Sequence, residues 1–355
     1  MKAKQIVAVA CAALMLTACG SKAANNAKDN KDNKAAVETS ASQQPKGDGV
    51  KVVTSTYILR DLTEEIAGDK AQVTCLIPKG QGVHGFEPSP KDINSLNDAD
   101  LFIYNGAGLE SFTDSLKDTL EGDAVLVEAS KGIELLEGGH HHHHDGEEAD
   151  EHNHDNNNHD NHNNDAAENN HDNNNHDADE HHDEHDHDGK DPHVWMSPEN
   201  ADKMAANIAE ALIAKDPDNA QYYKDNLAKV HEKFEALDES FDKVLSNAKH
   251  KDIVVSHEAY GYLAKEFGLN QIPIEGINSE SEPDPKAMKD IIDQMKAKGI
   301  TTVFTEPQED DKIAKTVASE AGAEVKELDP MEYESDKNYF ERMESNLKTL
   351  ESALQ

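Results

Sequence analysis

The chain has 355 residues, with 34 lysines and arginines against 72 aspartates and glutamates, for a formal net charge of −38. That length exceeds what one compact domain usually reaches, so two domains are expected. The charge argues against nucleic acid as a partner, since a polyanion would be repelled and the sequence holds no compensating basic patch. Three cysteines are too few for a disulfide framework.

Lys2 and Lys4 precede the apolar run Ile6 to Leu16. This is an export signal, too short to remain as a membrane-spanning helix. The run ends in Leu16-Thr17-Ala18-Cys19, which resembles the bacterial lipoprotein box. The resemblance implies a signal peptide over 1–18, with Cys19 acylated as the first mature residue. An ordinary export signal with an incidental cysteine is the alternative. Acyl chains would contribute ~0.8 kcal/mol per buried methylene. Residues 19–49 are rich in Ala, Asn, Lys, Asp and Ser and offer almost nothing to bury, so a disordered tether is expected. At ~5–6 Å × √n its reach is roughly 30 Å.

Short apolar runs then alternate with helical patterns. Val50–Ser55, Val73–Ile77, Leu101–Tyr104 and Val125–Val127 read as strands, with helices over Tyr57–Ala67, Pro90–Asn97 and Phe112–Leu120 between them. Cys75 falls in a strand and reads as a small buried hydrophobe. The second half repeats the rhythm. Strands are expected at Asp252–Ser256, Gln271–Ile274, Thr301–Phe304 and Glu324–Leu328, and helices at Tyr260–Phe267, Pro285–Lys298, Asp311–Glu320 and Tyr339–Ala353. Such alternation predicts α/β architecture with parallel sheets and covering helices. Between the halves, Tyr223, Leu227, Val230, Phe234, Leu237, Phe241 and Val244 recur at steps of four and three. They form an apolar stripe on one helix of about thirty residues, ~45 Å long. A coiled-coil seam would show the same stripe, but the flanking α/β patterns favour packing within the chain. The expected organisation is thus an N-terminal lobe over 50–215, a linking helix over 216–249 and a C-terminal lobe over 250–355.

An insertion over 139–190 interrupts the first lobe. It holds fifteen histidines, five of them contiguous (His140, His141, His142, His143, His144), and ends with His181, His182, His185 and His187 among acids and asparagines. It cannot build a core. Neutral imidazole suits Zn, Cu and Ni, and neighbouring carboxylates favour any cation. A flexible tract of this kind provides many weak, exchangeable sites rather than one cage. Its insertion is tolerable, since loop closure costs only ~0.6 kcal/mol per doubling of length.

Five histidines lie outside the tract: His84, His193, His231, His250 and His257. His231 and His250 are assigned to the surface. His84 follows a strand, His193 lies just past the tract and His257 follows the strand Asp252–Ser256. Ligands in open α/β sheets bind beyond the carboxyl ends of strands, so a site shared by His84 and His257 would lie between lobes. Asp329 occupies another post-strand position. Glu306 follows a strand too, and reads either as support for such a site or as a solvated loop.

Five stretches together carry a resemblance: His84-Gly85-Phe86-Glu87-Pro88-Ser89-Pro90, Asn105-Gly106-Ala107-Gly108-Leu109-Glu110, Asp191-Pro192-His193-Val194-Trp195-Met196-Ser197-Pro198, Ser256-His257-Glu258-Ala259-Tyr260 and Leu328-Asp329-Pro330. In this order they resemble the metal-binding lipoproteins of bacterial high-affinity zinc uptake ABC transporters. The resemblance implies two α/β lobes joined by a long backbone helix, with the metal between them. It implies that His84, His193 and His257 are the imidazole ligands and that Asp329 stands where relatives place a carboxylate. Val83 precedes His84, so the acid that some relatives carry there is absent. Manganese-carrying relatives tend to place an acidic residue where His257 stands. Three imidazoles with one oxygen suit four-coordinate Zn²⁺, whereas manganese prefers more oxygen donors. The function implied is capture of Zn²⁺ outside the cytoplasm and delivery to an ABC permease, by a monomer held to the membrane through its lipid anchor and without enzymatic activity. A surface adhesin or zinc store without a permease is an alternative. A zinc hydrolase is another, but no HExxH motif is present.

Overall fold

The computed structural model describes residues 49–120, 122–138, 189–277 and 284–355. The expected signal peptide, the lipid site Cys19, the tether and the histidine tract lie outside them. No helix among the described residues is long and apolar enough to cross a membrane.

In chain order, β1 (Val50–Thr54), α1 (Tyr57–Ala67), β2 (Ala71–Cys75), α2 (Pro90–Asn97), β3 (Leu101–Tyr104), α3 (Thr113–Thr119) and β4 (Val125–Glu128) build the first sheet and its helices. Two helices follow, α4 (Pro198–Lys215) and α5 (Ala220–Leu245). Then β5 (Asp252–Val255), α6 (Gly261–Phe267), β6 (Asn270–Pro273), α7 (Pro285–Lys298), β7 (Thr302–Thr305), α8 (Lys312–Ala321), β8 (Glu324–Glu327) and α9 (Tyr339–Leu354) form the second unit. Each sheet has four strands, ordered β2-β1-β3-β4 and β6-β5-β7-β8. All pairings are parallel, as helical crossovers require.

The central strands are apolar on both faces. Val52 packs into one core while Val53 packs into another on the opposite side, beside Phe102 and Leu96. The second sheet repeats this, with Val255 on the inner side and Val254 and Val303 on the outer. The inner core is continuous from one sheet to the other. It runs through Tyr223, Val230, Phe234, Leu237, Phe241 and Leu245 of α5. Phe234 meets Tyr339 and Phe340 of α9, and Phe241 stacks on Phe267 at 5.1 Å between ring centroids. Asn226 of the same helix reaches the carbonyl of Ile66 at the end of α1. One helix therefore holds elements from both sheets, which limits their independent motion.

The linking helix differs from the expected span. It starts at Ala220, after a 3-10 turn over Pro217–Asn219, and ends at Leu245. Residues up to Lys215 belong to α4, a helix the periodicity reading did not single out. Its buried face is Ala201, Met204, Ala205, Ile208, Ala209 and Leu212. Half of those residues are alanines, so the stripe is faint in sequence although the spacing is helical. Ser197 accepts from the Asn200 amide as N-cap and Pro198 takes the first position, which fixes where α4 begins.

Phe241→Ala should lower the unfolding free energy by about 3–5 kcal/mol, seen as a lower urea midpoint, because the cavity opens in the core shared by both sheets. A change below 1 kcal/mol would show that α5 does not tie the two units together.

Candidate metal centre

The carboxyl ends of the strands of both sheets face one region, where His84, His193, His257 and Glu332 converge with one ligand-type atom each within 4.8 Å of one another. His84 Nε2 lies 3.1 Å from His193 Nε2 and 3.2 Å from Glu332 Oε1. His193 Nε2 is 3.1 Å and His257 Nδ1 3.5 Å from the same oxygen. A tetrahedral ion with bonds of about 2.0–2.1 Å has edges of ~3.3–3.4 Å, so these separations fit around a zinc-sized centre.

Each histidine is aimed by its surroundings. His193 is fully buried. Its Nδ1 is 2.7 Å from Asp191 Oδ1, which also accepts its backbone N–H at 2.9 Å. A proton on Nδ1 leaves the Nε2 lone pair facing the centre. Tyr262 holds the carbonyl of Asp191, and Asn105 donates to that of Pro192 at 3.0 Å. His257 Nε2 is 2.7 Å from the Ile277 carbonyl, which turns Nδ1 inward. His84 sits on the loop between β2 and α2. That loop closes where Ser89 and Asp92 form a capping box with Pro90 at the first helical position.

The remaining motif residues are supports. Glu110 is buried and accepts from Ser55 Oγ at 2.5 Å and from the amides of Asn105 and Gly106 at 2.8 and 3.0 Å. Gly106 has φ 82°, and a Cβ there would come within 2.7 Å of Glu128 and Ser130, so only glycine fits this turn. Trp195 donates to the Pro330 carbonyl at 2.8 Å, and Tyr260 donates to that of Leu328 at 2.6 Å.

Charge is the unusual feature. Asp191, Glu306 and Glu332 are all at least 94% buried, with exposures of 3%, 6% and 3%. Their side-chain partners among the described residues are histidines and Ser256, with no lysine or arginine. Buried carboxylates need compensating positive charge. Burial opposes ionisation of Glu332, yet His84, His193 and His257 hold it well below the usual carboxylate range. Burial pushes the Glu306 carboxyl up, although His257 counters it. Burial alone would lower the His193 pKa, but bonds to Asp191 and Glu332 outweigh it and raise it to about 10. His257 is also raised, burial being overcome by Glu306 and Glu332. The centre therefore requires cationic charge, supplied either by protons or by a metal.

The structure brings His84, His193 and His257 together and places Asp329 elsewhere. Asp329 Oδ1 accepts from Arg342 Nη2 at 2.6 Å and from the Met331 amide at 2.8 Å, and Oδ2 accepts from Arg342 Nε at 2.7 Å. Both oxygens are committed, which corrects the expectation that Asp329 completes the donor set. Glu332, three residues on, is the acid that lies with the three histidines. Nothing in the local sequence marks Glu332 over Glu327 or Glu334; the turn of the chain selects it. Glu306 is not in a solvated loop. Its Oε1 lies 3.2 Å from His257 Nδ1 and 3.3 Å from Ser256 Oγ. His231 is exposed and pairs with Asp202, and His250 is exposed. The histidines at 140–144, 181, 182, 185 and 187 lie outside the described residues.

Two parallel-sheet units tied by one helix, with histidines from both meeting beyond the strand ends, define a two-lobed solute-binding protein with a metal-type centre. The family model described as zinc-uptake complex component A, periplasmic (ZnuA), matches residues 52–163 and 153–353, and the chain belongs to this family. The high-affinity zinc uptake system protein ZnuA of Bacillus subtilis is 36% identical over 323 residues, covering 89% of this chain and 91% of that protein. The zinc-binding lipoprotein AdcA of Streptococcus pneumoniae is 32% identical, covering 87% of this chain, which spans 57% of that longer relative. The Zn(II)-bound ZnuA-like domain of Streptococcus pneumoniae AdcA superposes with a TM-score of 0.66 at 28% identity, over 86% of this chain and 99% of that domain.

The charge balance gives a pH prediction for the metal-free protein. The His193 pKa is raised from 6.5 to about 10. Its stabilising contribution is then full below pH 6.5 and lost as pH climbs toward 10. The melting temperature of metal-free protein should therefore fall between pH 7 and 10, and less so in Asp191→Asn. An equal decline in both proteins would mean that the Asp191–His193 pair does not control it.

Proposed function

We propose that the protein is the zinc-capturing component of an ABC importer, holding Zn²⁺ through His84, His193, His257 and Glu332 and passing it to a membrane permease. The observation that carries this reading is the convergence of three imidazole nitrogens and one carboxylate oxygen at tetrahedral spacing, in a buried centre short of positive charge. The relatives named above, a zinc uptake protein and zinc-binding lipoproteins, support the choice of zinc and of transport. Three nitrogens and one oxygen suit zinc better than manganese, which takes more oxygen donors.

Binding exchanges protons for metal. His193 and His257 favour the protonated form when no metal is present, so capture near neutral pH releases protons. Acid reverses this by returning protons to the imidazoles. Delivery requires the permease to disturb the arrangement of ligands.

Acylation at Cys19 would keep the monomeric protein at the outer face of the cell membrane, with residues 20–49 as its tether. The histidine tract is proposed as a collector of weakly held zinc. Its neighbours meet side by side: Gly138 donates to the Gly189 carbonyl, the Asp191 amide donates to that of Leu136, and Glu137 pairs with Lys190. The insertion can thus be removed without pulling the flanking chain apart.

In protein lacking residues 139–188, zinc should bind at one site per chain and far more tightly than manganese. His257→Ala or Glu332→Gln should weaken that binding by roughly 100-fold or more, about 2.7 kcal/mol, in a competition titration with a chelator. An unchanged dissociation constant in both variants would remove the centre as the capture site. In the unaltered centre, zinc affinity should drop steadily from pH 8 to 5.5, since protons compete for the imidazoles. A flat profile over that range would contradict proton-for-metal exchange.

A further inference from the structure

The segment Leu328–Tyr333 carries Glu332 to the centre, and its backbone is tied down on both sides of that residue. Leu328 O accepts from Tyr260 and Pro330 O from Trp195. The Asp329 amide donates to Asn346 Oδ1 at 2.9 Å, and Asn346 Nδ2 donates to the Asp329 carbonyl at 2.7 Å. Arg342 Nη1 donates to the Tyr333 carbonyl at 3.1 Å while Nε and Nη2 grip the Asp329 carboxylate. Arg342 and Asn346 are one turn apart on α9 and are 4% and 2% exposed. Met331 has φ 66°, a left-handed conformation that a non-glycine residue adopts only under strain. Its amide is held by Asp329 Oδ1. The strained residue thus stands directly between the clamp and Glu332.

We propose that Asp329, Arg342 and Asn346 are positioning residues that lock the Leu328–Tyr333 arch, and that this lock sets the preference for zinc over manganese. The inference rests on Glu332 being a metal-facing group, as proposed above. A bidentate guanidinium–carboxylate pair is rigid, and here it fixes both ends of the arch at once. A carboxylate held in one orientation supplies one oxygen at a fixed place, which suits a small four-coordinate ion. A carboxylate free to turn can offer both oxygens, which favours an ion that seeks more oxygen donors. Loosening the clamp should therefore weaken zinc more than manganese. A general loss of structure would weaken both.

The test uses the full chain. Zinc and manganese affinities are measured by chelator competition in the unaltered protein and in Asp329→Asn, Arg342→Lys and Asn346→Ala. The triple variant His84→Ala/His193→Ala/His257→Ala reports the contribution of the histidine tract for subtraction. Circular dichroism and melting temperature establish that each variant is folded, and Asn346→Ala leaves the ion pair intact if the other two do not fold. Zinc affinity is expected to fall roughly tenfold while manganese affinity changes less than threefold, so the ratio narrows. An unchanged ratio in the folded variants overturns the proposal. So does X-ray absorption at one zinc per chain showing an oxygen ligand lost in Asp329→Asn but kept in Glu332→Gln, since Asp329 would then be a ligand. If His257→Ala leaves zinc binding of the full chain at the unaltered value, the centre itself is wrong and the inference falls with it. Normal loss in His257→Ala with an unchanged metal ratio in the clamp variants removes only the clamp.

Discussion

Three carboxylates buried among three imidazoles, with no lysine or arginine paired to them among the described residues, form the constraint on which this structure turns. Such a group of charges is unstable in a protein interior unless positive charge sits within it. Protons can supply that charge, and so can a divalent cation. Because the same nitrogens can accept either, protons and a divalent cation compete for one set of donors. The outer bonds decide which nitrogen faces inward. Asp191 takes one edge of the His193 ring and the Ile277 carbonyl takes one edge of the His257 ring.

The fold supports this by bringing together parts of the chain that are far apart in sequence. His84 belongs to the first sheet's loops, His257 and Glu332 to the second's, and His193 to the segment leading into α4. Parallel sheets present all their strand ends on one side, so two sheets tied by α5 can direct their post-strand loops at a common point. The continuous core through α5 and α9 makes their separation costly. Aromatic and hydroxyl donors then cross between the pieces: Trp195 to Pro330, Tyr339 to the Trp195 carbonyl and Tyr260 to Leu328.

The five motif stretches divide their labour unevenly. Only one residue in each of three of them faces the centre. The others place those residues: Ser89 starts α2, Ser197 starts α4, Glu110 and Gly106 shape the turn after β3, and Asn105 anchors the carbonyl before His193. Asp329 belongs with these supports. Its pairing with Arg342 uses both oxygens, and a carboxylate so engaged is a structural strut.

Much of the architecture was legible in the chain itself. Apolar runs such as Leu101–Tyr104, whose first three residues are buried, and helices punctuated by Pro285 and Gly299 carry local signals that survive without tertiary context. The three cleft histidines were legible because each stands in a distinctive motif outside the tract. Periodicity failed for α4, whose alanine-rich face gives little contrast. The resemblance pointed to Asp329, and nothing in the local pattern pointed to Glu332. Both follow β8, and the choice depends on Arg342 and Asn346, residues of a helix that reaches the arch only after folding. Glu306 was ambiguous for the same reason, since whether a post-strand acid meets solvent or a histidine depends on what packs over it. The sequence determined the elements and the metal-seeking side chains, because those are set by local pattern and residue chemistry. Only tertiary structure decided which acid faces the centre, because that is a matter of which partners claim the other carboxylates first.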